Sequence, residues 1–157
     1  MRVLVVNGPN LNLLGRREPE VYGTETLADI EARVRALADE LGVEIEFFES
    51  NHEGAILDVL HGAIGRCHGV VLNPGALTHT SIALYDALRA CSLPTVEVHL
   101  SNLASREPWR MRSYTARASV GVVMGFGGES YALGLRALVA HLRRASQGSA
   151  ARGAGVP

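Results

Sequence analysis

The feature that most constrains the fold is a set of short apolar runs separated by segments of helical period. Val3-Leu4-Val5-Val6 stops at Asn7-Gly8-Pro9, and Gly69-Val70-Val71-Leu72 stops at Asn73-Pro74-Gly75. Two further runs fall at Thr95 to Val98 and Val120 to Met124. Strands that are apolar on both sides belong in a parallel sheet covered by helices on both faces. Val43 to Phe48 differs, because Val43, Ile45 and Phe47 alternate with Glu44 and Glu46. That alternation predicts an edge strand, wet on one side.

The intervening segments carry the period of amphipathic helices. Thr24 to Leu41 places Leu27, Ile30, Val34, Leu37 and Leu41 on one face and stops at Gly42. His52 to Arg66, with Ile56, Leu57, Leu60 and Ile64, predicts a second helix. Thr80 to Ala90 and Ser130 to Arg144 predict two more. Four β-α repeats followed by a fifth strand and a closing helix predict an α/β, flavodoxin-like fold. Its doubly wound five-stranded parallel sheet would have the order 2-1-3-4-5, with helices on both faces. Residues 1–145 would form one domain, and 146–157, rich in Gly, Ala and Ser, a disordered tail. Right-handed crossovers then bring every strand's carboxyl end to one edge of the sheet.

Composition removes several classes of function. The net charge is −1, with no basic block, which argues against nucleic acid or an anionic membrane as partner. All 15 basic side chains are arginine. Without lysine there is no side-chain Schiff base, no phosphate-loop lysine and no anchor for pyridoxal phosphate. Arginine keeps its charge and can stabilise an oxyanion, so any cationic catalysis here is electrostatic. Cys67 and Cys91 lie in apolar stretches without a CxxC spacing, as buried free thiols do. No apolar run could span a bilayer, and the opening strand is too short for a signal peptide, so a cytoplasmic protein is expected.

Ligands of open α/β sheets bind outside the carboxyl ends of strands, near the switch in strand order. Polar residues crowd there: Asn7 to Asn12 after strand one, Asn73 to His79 after strand three, and His99 to Asn102 with Arg106 and Arg110 after strand four. Taken singly, Asn-Gly-Pro and Asn-Pro-Gly are turn-formers, His99 is a structural hydrogen-bond partner and the arginines are solvated. Their expected convergence at one sheet edge is what indicates a pocket. Leu14 to Gly23 is longer than the roughly 2–6 residues of an ordinary βα loop. Bounded by Gly15 and Gly23 and carrying Arg16, Arg17 and Tyr22, it reads as a lid or, more plainly, as a surface loop.

Five motifs in order resemble the type II 3-dehydroquinate dehydratases. They are Asn7-Gly8-Pro9-Asn10-Leu11, Gly15-Arg16-Arg17-Glu18-Pro19 with Tyr22-Gly23, Ser50-Asn51-His52-Glu53-Gly54, Asn73-Pro74-Gly75-Ala76 with Thr78-His79-Thr80-Ser81, and Glu97-Val98-His99-Leu100-Ser101-Asn102. The likeness runs over about residues 1–145. It implies conversion of 3-dehydroquinate to 3-dehydroshikimate and water in aromatic amino acid biosynthesis, by a hydro-lyase that uses no cofactor and no metal. By that resemblance Tyr22 takes an α-proton, Arg17 stabilises the enolate-like transition state, and His99 protonates the departing hydroxyl. Asn10 would hold a water against the developing oxyanion. Asn73, His79, Asp86, Leu100, Ser101 and Arg110 would bind substrate, the carboxylate at the Leu100 and Ser101 backbone N–H groups. The resemblance also implies a homo-oligomer, a dodecamer of four trimers, in which Asp86 reaches a neighbouring subunit's site.

The chemistry sets its own demands. A tyrosine titrates near pH 10, and each unit of depression needs about 1.4 kcal/mol of preferential phenolate stabilisation. Arg17, five residues before Tyr22, and Arg106 are the candidate guanidinium neighbours. Glu97 lies two residues before His99, so on a strand the two side chains share a face. It either orients the ring and favours its protonated form or is a structural partner elsewhere. Rival readings are a flavodoxin-like small-ligand or flavin-binding module, a phospho-acceptor domain without its lysine, and a non-catalytic scaffold. A flavin site calls for a Ser/Thr/Gly-rich phosphate loop and flanking aromatics. The first loop here is Asn/Pro/Leu-rich, and aromatics are 5% of the chain.

Overall fold

A computed structural model describes residues 1–16 and 24–153 of the chain. Arg17 and Tyr22, both candidate catalytic residues, lie outside the described residues, as do 154–157. Five strands, β1 (Arg2–Asn7), β2 (Glu44–Glu49), β3 (Gly69–Asn73), β4 (Thr95–His99) and β5 (Gly121–Met124), pair in parallel in the order β2-β1-β3-β4-β5. The expected strand order is the observed one.

The period-two geometry of β1, β3 and β4 divides the core in two. Val3, Val5, Val71, Val96 and Val98 face α1 (Leu27–Leu41) and the closing helix, meeting Ile30, Val34, Leu37, Leu135 and Leu138. Leu4, Val6, Val70 and Leu72 face the other way, towards α2 (Glu53–Gly62) and α4 (Ile82–Cys91), and pack on Ile56, Leu60, Leu84 and Leu88. β1 and β3 are buried on both sides because helices cover both faces. β2 sits at one edge, as its alternating glutamates indicated. β5 forms the other edge and is largely exposed. Both cysteines are free and buried, and burial pushes both thiols up from their ordinary range.

Several boundaries differ from the sequence reading for local reasons. α1 starts at Leu27 rather than Thr24, because Thr26 caps it: its hydroxyl accepts from the Asp29 N–H while Asp29 reaches back to Thr26 N–H. α2 ends at Gly62, short of Arg66. The helix expected from Thr80 starts instead two residues later, as α4, whose N-cap Ser81 accepts from the Leu84 N–H, and a separate turn, α3 (Leu77–Thr80), precedes it. The fourth repeat carries no α-helix. Its connection between β4 and β5 is built instead from three 3-10 turns, Leu103–Ser105, Pro108–Met111 and Thr115–Ala118. The closing helix, α5 (Glu129–Gly153), continues beyond Arg144 into the expected irregular tail. Ala150, Ala151 and Arg152 are strong helix formers, and one interior glycine such as Gly148 costs only about 1 kcal/mol. Among the described residues, no helix is long and apolar enough to cross a membrane.

Candidate active site

The turns after β1 and β3 are locked into each other. Asn7 and Asn73 are register partners, and the Gly8 N–H donates to the Asn73 carbonyl at 2.8 Å. A Cβ on Gly8 would stand 2.5 Å from the Pro74 carbonyl oxygen. One on Gly75, which holds φ +56°, would stand 2.9 Å from the Pro9 carbonyl oxygen. Both turns therefore need glycine to approach so closely. Asn10 follows in the left-handed region at φ 70°, which asparagine tolerates, and its N–H donates to Asn51 Oδ1 at 2.8 Å. The Ser50–Gly54 motif after β2 thus braces the first loop.

Over this seam opens a cavity lined by Pro9, Asn10, Leu11, Leu14, Asn73, Gly75, Ala76, His79, His99, Leu100, Ser101, Leu103, Arg106 and Arg110. Eight sequence-derived candidates meet here: Asn10, Asn73, His79, His99, Leu100, Ser101, Arg106 and Arg110. Glu97 lies beneath them. Asp86 does not join the cavity lining and is exposed on α4.

His99, only 5% exposed, ends β4, and its Nε2 lies 2.7 Å from Glu97 Oε1. Glu97 is thus a hydrogen-bond partner of the ring, and it accepts from other side chains as well. Burial alone would push the Glu97 carboxyl up, but hydrogen bonds from His99, Thr115 and Thr78 outweigh it and hold the group below its usual range. An ionised carboxylate only accepts, so Nε2 carries a proton and Nδ1 is left to serve a bound molecule. His79 is assigned by its partner too. Its Nδ1 stands 2.7 Å from the Arg112 carbonyl, which can only accept, leaving Nε2 for the cavity.

Glu107 organises the two cavity arginines. Its carboxylate accepts from Arg110 Nε at 2.7 Å and lies 3.3 Å from Arg106 Nε. The Arg110 hydrogen bond foremost holds the Glu107 carboxyl at about 2, so it stays ionised across the physiological range. Two cationic groups are thus aimed at one wall of the cavity, where an anionic or enolate-bearing ligand would gain from them.

Sequence reasoning missed residues that support the site from below. Glu97 is wrapped by the hydroxyls of Thr78 (2.9 Å), Ser113 (3.2 Å) and Thr115 (2.5 Å). Beneath Asn73 lies Tyr131, 1% exposed, whose hydroxyl accepts from Asn73 Nδ2 at 2.9 Å and donates to Asn7 Oδ1 at 2.7 Å. The Gly75 N–H holds the other end of the Asn73 amide, at Oδ1. Burial pushes the Tyr131 phenol far up, so this tyrosine is no base near neutrality. Glu107 had a weak signal in its place between Arg106 and Arg110, and Thr78 one in its place within the Asn73–Ser81 motif; Ser113, Thr115 and Tyr131 had none.

Known proteins share this arrangement of chain. The family model for dehydroquinase class II matches residues 1–139. A 3-dehydroquinate dehydratase of Gloeobacter violaceus is 56% identical over 147 residues, covering 94% of this chain and 92% of that protein. One from Desulforudis audaxviator is 58% identical over 139 residues, covering 88% and 93%. The crystal structure of a type II dehydroquinase from Butyrivibrio crossotus matches with a TM-score of 0.86 at 40% identity, over 88% of this chain and 97% of that one. Another, from Propionibacterium acnes, matches at 0.84 and 41% identity, over 88% and 96%. By sequence over nearly its whole length, and by fold, the chain belongs to the class II dehydroquinase family.

Proposed function

We propose that this chain is a 3-dehydroquinate dehydratase, a carbon-oxygen lyase that converts 3-dehydroquinate to 3-dehydroshikimate and water in the shikimate pathway. The observation that carries the reading is the buried Glu97–His99 pair, opening into a cavity that two arginines face. Tyr22 takes the proton α to the ring ketone, and the electron pair moves into an enolate. The enolate re-forms the ketone as the ring C–O bond breaks, and the departing hydroxyl takes a proton from His99 to leave as water. The phenol proton then returns to the imidazole, so the enzyme ends as it began. Imidazolium is a competent general acid, and Glu97, 2.7 Å from Nε2, orients the ring.

In this reading Arg17 and Arg106 stabilise the Tyr22 phenolate and the enolate, and Asn10 holds a water against the developing oxyanion. His79 and Arg110 grip ring hydroxyls, the backbone N–H groups of Leu100 and Ser101 grip the carboxylate, and Asn73 also binds substrate. The groups required are a base, an acid and an oxyanion stabiliser, all of which the side chains supply without a metal or cofactor. The enzyme would act in the cytoplasm as a dodecamer of four trimers, Asp86 completing a neighbouring subunit's site. The exposed Asp86 beside Ile82 on α4 supports this, as do the exposed apolar residues Val120, Val122, Met124 and Phe126 around β5. A flavin-binding reading is disfavoured by the cavity wall, which among the described residues carries no Phe, Tyr or Trp. The conjugated product absorbs in the ultraviolet, so the test is an absorbance assay on 3-dehydroquinate with a chelator present. Turnover unaffected by the chelator is expected; no absorbance rise would overturn the assignment.

A further inference from the structure

Glu97 is 0% exposed, and its partners come from three separate parts of the chain. His99 lies on its own strand, Thr78 on α3, and Ser113 and Thr115 in the connection to β5. Thr78 and Thr115 are themselves 0% exposed. An ionised carboxylate can accept about four hydrogen bonds, and these four side chains supply one donor each. Three fall on Oε1, from His99, Thr78 and Ser113; Thr115 alone serves Oε2.

The hydroxyls also lie close to each other, Thr78 to Ser113 at 2.7 Å and Thr78 to Thr115 at 2.8 Å. Each has one proton to give. With Glu97 ionised, all three protons can point at it. A proton on Oε2 would oppose that of Thr115 and force the hydroxyl to turn away, towards Thr78. The four donors can thus satisfy the anion, although burial on its own favours the neutral acid.

Resting on the proposed dehydration, in which His99 is the proton donor, we propose that Thr115, together with Thr78 and Ser113, is a positioning residue: its hydroxyl keeps Glu97 anionic and aimed at His99, and so governs the proton that His99 delivers. Among the described residues, the other charged or titratable groups facing the pair are His79 from α3 and Arg106 and Arg110 across the cavity, with Glu107 holding both arginines. Strands β3 and β5 bring none, and Tyr131 of α5 stands beyond Asn73. The hydroxyls are thus the groups that hold Glu97 from the side away from the cavity. The sign is fixed. Hydrogen bonds that lower the Glu97 carboxyl below its usual value are lost, so a variant lacking one takes up a proton at higher pH.

The experiment compares wild type, Thr115→Val and Thr115→Ser in the assembled enzyme. Infrared difference spectra across pH steps follow the Glu97 carboxyl, identified as the band that Glu97→Gln abolishes. Thr115→Val should move its protonation upward by about one pH unit, a tenfold change in proton affinity. The acid limb of kcat should move with it, and plateau kcat should fall about tenfold while KM changes by less than about threefold. Thr115→Ser, which keeps the hydroxyl, should restore both. Should Thr115→Val fail to fold, Ser113→Ala, at the half-buried rim, should give a smaller shift of the same sign. An unmoved Glu97 band, or equal impairment of Val and Ser variants, overturns the proposal. A wild type that does not dehydrate 3-dehydroquinate overturns the function instead, and the infrared titration still decides whether the hydroxyl holds the charge.

Discussion

The hydroxyl of Tyr131 lies 2.9 Å from Asn73 Nδ2, so a helix on one face of the sheet fixes a side chain in the cavity wall. The bond runs in one direction only. The Gly75 N–H claims Asn73 Oδ1, which turns Nδ2 towards Tyr131, whose own proton must then go to Asn7 Oδ1. Removing the phenol oxygen leaves two buried amide groups unpaired, each at a cost of about 1–3 kcal/mol. Tyr131→Phe should therefore lower the melting temperature by several degrees and raise KM more than it lowers kcat. Thermal unfolding and steady-state kinetics together check this. Wild-type stability with wild-type KM would count against it.

The seam between the first and third loops depends on the absence of a side chain at Gly8. In Gly8→Ala the new methyl must displace the Pro74 carbonyl, 2.5 Å away. Backbone cannot swing aside as a long side chain can, and overpacking of this kind costs about 1–3 kcal/mol. The expected result in chemical denaturation is a lower midpoint at unchanged slope, with substrate affinity reduced because Asn73 and Asn10 shift together. A midpoint equal to wild type would show that the two loops are not locked.

Glu97→Gln keeps the shape of the carboxylate and removes its charge. The folded carboxyl is depressed, so its stabilising contribution is present above the unfolded value, about 4.3, and is lost as pH falls towards the folded one. At neutral pH the wild type holds that contribution in full and the variant has none. The variant should lose about 10²-fold in kcat, as removal of a general acid's support does, and its pH–rate profile should change shape. It should also be less stable near neutrality, with the difference closing in acid. An unaltered profile would remove Glu97 from the mechanism.

How much of this was legible in the sequence depends on how far apart the interacting residues lie along the chain. The strand runs and the switch in order were readable because burial on two faces writes a continuous Val/Leu signature over four or five positions. Glu97 and His99 were readable as a pair because strand geometry relates residues two apart. Helix starts were shifted where a hydroxyl cap decided them, as at Thr26 and Ser81. The hydroxyl cage was invisible, since Thr78 and Thr115 lie 19 and 18 residues from Glu97 and nothing local marks the meeting. The same holds for Tyr131, 58 residues from Asn73. Arg106 and Arg110 were readable as pocket residues, but not the role of Glu107, the acidic residue between them that gathers both.

The central claim is that a phenol at position 22 is the base and the imidazole of His99 the acid, acting on one ring. Tyr22→Phe tests it most directly, with kcat for 3-dehydroquinate dehydration measured beside a thermal melt. Loss of a general base costs about 10²–10⁴-fold. The account predicts a fall of at least that order with an unchanged melting temperature; dehydration that continues at the wild-type rate would contradict it.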